Sequence, residues 1–113
     1  MRNAGGRATP DVVASITALR TLADVQGVFV VHHTDCGMTS MTEDEIRNDA
    51  LSRNPDAKAE VDKVKDYGCF TAETFEETIK KDVKYLKEQK VLKGLVIRGL
   101  AFELDDGVVR VVE

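Results

Sequence analysis

The only two histidines of this chain are adjacent. His32 and His33 close the apolar run Val28-Phe29-Val30-Val31, and Thr34, Asp35 and Cys36 follow directly. His33 and Cys36 stand three residues apart, and imidazole nitrogen and thiolate sulfur are both good zinc donors that a tight turn can bring onto one ion. The four apolar residues ahead of the pair read as a strand buried on both faces, as a parallel sheet under helices requires. Just past the carboxyl end of such a strand is where open α/β sheets build their sites. Two ligands do not complete a zinc site, so the remaining candidates matter. Cys69 is the only other thiol, and it falls in a loop ahead of a long helix. Spacing alone gives it no claim as a ligand, and it reads as a small, partly buried apolar residue. His32 must point away from His33, because neighbours in a strand alternate between faces. It reads as a packed or solvated neighbour. Asp35 is expected to shape the turn, by accepting backbone N–H bonds or as an ordinary Asx turn.

The elements that position this pair alternate along the chain. Thr9 can cap a helix that opens with Pro10. Val12, Val13, Ile16, Leu19, Leu22 and Ala23 then recur at helical spacing and predict one buried stripe. The helix stops before Gly27, and the strand follows. Thr42-Glu43-Asp44-Glu45 predicts a capping box for a short helix towards Leu51. Asn54-Pro55 ends it, and a polar segment leads to Tyr67-Gly68. Thr74 to Glu77 predicts a second capping box, and Phe75, Ile79, Val83 and Leu86 continue as a helical stripe. The apolar run Leu95 to Leu104, the turn Asp105-Asp106-Gly107 and the segment Val108 to Val112 read as a strand and a closing hairpin. The order describes an α/β layer protein with a mostly parallel sheet. The first helix has no strand feeding it. A glycine pair, Gly5-Gly6, leads towards it instead; such a pair can cradle an anion but is more often a plain turn.

Composition narrows the function classes. The chain has 113 residues, 42% of them hydrophobic and 32% charged, with a net charge of −4, which suits one globular domain. Lysines and arginines are interleaved with acidic residues and aromatics are few, so no nucleic-acid surface is expected. No apolar run approaches the ~20 residues that span a bilayer. No secretory leader is evident, so a cytosolic compartment and free cysteines are expected.

Three blocks together carry a likeness: Arg2-Asn3-Ala4-Gly5-Gly6, then His32-His33-Thr34-Asp35-Cys36-Gly37-Met38, then Val96 to Leu104 with its hairpin. In collinear order, and with the helix from Phe75 to Leu86 between them, they resemble the β-class carbonic anhydrases, in the smaller, non-plant-type branch. The resemblance implies a single domain over 1–113 with a three-layer α/β fold, a mostly parallel sheet, flanking helices and a C-terminal hairpin. It implies a zinc cofactor held by His33 and Cys36, and reversible hydration of carbon dioxide to bicarbonate and a proton. Zinc would serve by lowering the pKa of its water to about 7. A small-molecule substrate and a homo-oligomer, dimer or higher, are implied as well, with no nucleic acid and no membrane.

The sequence also departs from that family. Its members carry, upstream of RNAGG, a strand ending in Cys-x-Asp-x-Arg; the cysteine is the third zinc ligand, and the Asp–Arg dyad governs the fourth zinc position. This sequence opens just before RNAGG and contains no CxDxR. The expectation is a domain truncated at its N-terminus, lacking the first central strand, with no identifiable catalytic dyad. Three readings stay open: a family member with impaired activity, a fragment of a longer active enzyme, and a non-catalytic interaction module.

Overall fold

The computed structural model describes all of residues 1–113. In chain order the elements are α1 (Pro10–Ala23), β1 (Gly27–His33), α2 (Glu43–Arg53), α3 (Lys58–Lys63), α4 (Phe75–Lys87), β2 (Val96–Phe102) and β3 (Val109–Val111). Phe75, Ile79, Val83 and Leu86 are all buried, so the helical stripe read from the sequence forms one face of α4. That face packs on β2 and β1. The approach is close at Gly99, where a Cβ would lie 2.6 Å from Ile79 Cγ2 and 2.9 Å from Val83 Cγ2. Glycine at this strand position lets the helix lie directly on the sheet.

The sheet has the order β1-β2-β3, with β1 parallel to β2 from Gly27↔Val96 to His33↔Phe102 and β3 antiparallel to β2. The α/β class, the parallel pair and the closing hairpin are as the sequence implied. The ladder starts with Val96 N–H to the Gln26 carbonyl and ends with Thr34 N–H to the Phe102 carbonyl. In a parallel pair, alternate residues of a strand face one neighbour. The even-numbered residues of β1 therefore bond β2, and Phe29 and Val31 turn their N–H and C=O groups to an open edge.

Burial along β1 differs from expectation. Val30 and His32 are buried under α4, whereas Phe29 is 65% and Val31 46% exposed. The run was read as buried on both faces, but α4 covers the Val30/His32 side and Phe29, Val31, Val96 and Arg98 lie open on the other. Apolar continuity does not distinguish a covered face from an uncovered one.

Several local expectations also resolve. Thr9 caps α1, accepting from Val12 N–H at 3.4 Å. The α1 stripe is shorter than predicted: Ile16 is buried, but Leu19 and Leu22 are exposed. Beyond its middle, the helix is tied to the body by a polar contact, from Arg20 to the Lys93 carbonyl at 2.9 Å. The first capping box forms between Thr42 and Glu45. The second does not, because Thr74 is not extended and its hydroxyl accepts from Thr71 N–H at 3.0 Å instead. The stretch after Pro55, expected as a plain polar segment, folds into α3 and buries Val61. No helix is long and apolar enough to cross a membrane.

Candidate metal centre and its supports

His33 ends β1 with its side chain on the open face of the sheet, and His32 points the other way into the core. The His33 Nδ1 lies 2.8 Å from the Thr34 carbonyl oxygen. A carbonyl can only accept, so Nδ1 carries the proton and Nε2 keeps a free lone pair. This is the state in which an imidazole binds a metal, its other nitrogen tied to a carbonyl. The chain then reverses at Asp35, whose φ of 53° is left-handed, a conformation that aspartate tolerates. Asp35 shapes the turn through this backbone conformation. Thr34 pins the loop to the end of β2: its N–H donates to the Phe102 carbonyl at 2.9 Å, and its hydroxyl accepts from Leu104 N–H at 2.9 Å. Cys36 is buried. Its carbonyl accepts from the Thr39 N–H at 2.9 Å and the Thr39 hydroxyl at 2.6 Å.

The donor set fits part of a zinc site. His33 offers a nitrogen lone pair and Cys36 a sulfur, both zinc ligands by type. No His, Cys, Asp or Glu joins them to make a metal-holding group of three. Cys69 and Cys36 are both free thiols. Burial and the nearby Glu43 carboxylate push the Cys69 thiol up, which disfavours the thiolate that a metal needs. Its backbone N–H donates to Glu43 at 3.2 Å, so this loop is held by Glu43 for structural reasons.

Behind the pair lies a polar cluster that the sequence reading did not identify. His32 Nε2 is 3.0 Å from the Gly6 carbonyl and 3.3 Å from Asp82 Oδ2. The ring stacks on Phe70 with centroids 5.6 Å apart. Asp82 also receives Arg7 Nε at 2.9 Å, a second Arg7 nitrogen at 3.1 Å and Ala8 N–H at 3.1 Å. Burial by itself would raise the Asp82 carboxyl. Hydrogen bonds from His32 and Arg7, the guanidinium charge and the Ala8 N–H outweigh it and hold the group below the ordinary aspartate range. The signal was present in α4: Asp82 interrupts the buried stripe next to Val83, where a charge requires a partner. Its partner was 75 residues away, out of reach of local pattern. The turn Ala4–Gly6 is closed by Asn3, which receives Arg7 N–H and donates to the Arg7 carbonyl, each at 2.8 Å.

The solved carbonic anhydrase from Glaciozyma antarctica superposes on this chain with a TM-score of 0.85 and 32% identity, covering 100% of this chain and 66% of its own. The Mycobacterium tuberculosis protein named Beta-carbonic anhydrase 1 is 38% identical over 47 residues, 42% of this chain and 29% of its length. This is a β-carbonic anhydrase-like chain. No family model matches it. The carbon disulfide hydrolase of Acidithiobacillus thiooxidans is 26% identical over 121 residues, 96% of this chain and 61% of that protein. The chain thus spans less than two thirds of the length of these relatives.

Within the β-carbonic anhydrase-like fold, the open edge of β1 borders a cleft of about 600 Å³. Arg2, Thr9, Ile16, Phe29 and Val31 are among the residues that line it.

Proposed function

We propose that this chain carries part of a carbonic anhydrase zinc site, with His33 and Cys36 as two of its ligands and carbon dioxide and bicarbonate as substrates. The observation that supports this is the His33 ring, whose Nδ1–H is held by the Thr34 carbonyl so that Nε2 faces away as a free donor. Zinc held there would supply a water of pKa about 7, the nucleophile that hydration at neutral pH requires. The chain's own contribution is positional. Thr34 fixes the turn on β2, and Thr39 fixes the Cys36 carbonyl.

With two donors from this chain, zinc binding is weak relative to a three-ligand site, and the 113 residues alone hydrate carbon dioxide poorly even in excess zinc. The open edge of β1 favours self-association, so we read the chain as a homo-oligomer. A reducing, cytosolic compartment suits Cys36 as a thiol. Stopped-flow hydration with purified protein tests the reading. We expect low activity that rises when a CxDxR-bearing strand is added upstream and is abolished there by His33→Ala or Cys36→Ala. Full activity of the chain by itself, unaffected by Cys36→Ala, would defeat the reading.

A further inference from the structure

Asp82 is 3% exposed and lies on the apolar face of α4, where a carboxylate must be fully paired. Its pairing joins three separate parts of the chain. Arg7 and Ala8 come from the N-terminal turn, Asp82 itself from α4, and His32 from β1. The link to His32 has a meaning beyond stability, because His32 shares a peptide bond with His33. His32 Nε2 bonds the Gly6 carbonyl at 3.0 Å, so Nε2 carries the ring proton, and Asp82 Oδ2 lies 3.3 Å from the same nitrogen. Its Nδ1 is buried with no partner. The Gly6 carbonyl is therefore the one hydrogen-bond partner of this ring, and the Asp82 carboxylate is the one charge that touches it.

We propose that Asp82 is a positioning residue for the His33–Cys36 pair, acting through His32. It holds the His32 ring, and with it the last residues of β1, in the register that places His33 Nδ1–H on the Thr34 carbonyl and leaves Nε2 free. The backbone carries the effect: His32 is fixed on the α4 side, Thr34 is fixed on Phe102 and Leu104, and His33 is held between them. Groups that bond a metal-ligating histidine directly alter metal affinity ~10–100-fold when removed; at His33 that group is the Thr34 carbonyl, and Asp82 acts on it at one remove. The proposal rests on His33 being a ligand, but its first readout needs no metal.

The experiment uses the full chain, labelled with 15N and free of metal, at pH 8.5. Long-range 1H–15N spectra read the two ring nitrogens of His33, and chelator competition then measures affinity for zinc ion. The wild type should show one protonated nitrogen and one bare nitrogen at His33. In Asp82→Asn and in His32→Gln, the His33 pair should move towards the average of the two tautomers, and zinc affinity should fall, by up to ~10-fold, the low end for a directly bonded support. His32→Gln leaves the Arg7–Asp82 pair in place, so it decides the matter if Asp82→Asn does not fold. A merely structural Asp82 would lower the melting temperature and leave the His33 ring pattern of the folded protein unchanged. That outcome in folded His32→Gln would overturn the proposal. Shifted ring nitrogens in the variants, with no zinc uptake by the wild type, would remove the zinc reading and leave the hold of Asp82 on His33 standing.

Discussion

A Cβ placed on Gly6 would lie 2.9 Å from the carbonyl oxygen of Val31, so the N-terminal turn meets β1 backbone against backbone. Gly6 also has a φ of 66°, which a side chain disfavours. Gly6→Ala should therefore cost more than about 1 kcal/mol. Gly37→Ala, where nothing lies within 4 Å of the new Cβ, should be near neutral. Denaturant unfolding of both variants checks the contrast; equal stability would show that the turn is not locked against the strand.

The Asp82 carboxyl is held below the ordinary aspartate range, while in the unfolded chain it titrates near about 3.9. The folded protein therefore releases this proton more readily than the unfolded one. The stability linked to Asp82 is whole above about pH 4 and is lost as pH falls through the depressed folded value. Thermal melts between neutral pH and strong acid should show a steeper acid loss in the wild type than in Asp82→Asn. Parallel acid limbs would mean that the carboxylate contributes nothing through its charge.

Cys69 is pushed up by burial and by Glu43, so it should alkylate with iodoacetamide more slowly at neutral pH than a free thiol does. Glu43→Gln should speed the reaction. Cys69→Ala should leave zinc uptake unchanged, since Cys69 belongs to no metal-holding group. A loss of zinc in Cys69→Ala would identify it as the missing ligand.

The open edge at Phe29 and Val31 should make the chain self-associate at micromolar to millimolar concentration, because unpaired strand groups invite another strand. Phe29→Lys should shift sedimentation towards monomer while changing monomer stability by no more than about 0.5 kcal/mol. A wild-type chain that sediments as a well-behaved monomer would contradict this.

How far the sequence announces the structure differs from one residue to the next. Phe75, Ile79, Val83 and Leu86 are legible because helical period and burial coincide in α4. The place of His33 at the end of β1, with the turn to Cys36 behind it, is legible because the apolar run stops there; that the two bind a metal is the proposal their types and spacing support. Leu19 and Leu22 carry the same periodic signal in α1 yet stand in solvent, since period shows which residues share a face but not whether another element covers it. The Thr74 box fails for a related reason: Thr71 competes for the same hydroxyl. The Arg7–Asp82–His32 cluster was hidden because its members lie in three distant segments, and only the fold brings opposite charges together.

The parallel pair β1 and β2 encloses most of the chain, with α2, α3 and α4 between its strands. Closing so long a loop is entropically costly and slow, whereas α4 and the β2–β3 hairpin need only near neighbours. The turn from His33 to Cys36 takes its shape from Thr34 bonding to Phe102 and Leu104, so it exists only once β1 has reached β2. The turn that carries His33 and Cys36 is in this sense a late product of folding. Zinc present during refolding should accordingly act on the native side of the barrier, slowing the unfolding rate and leaving the folding rate where it was.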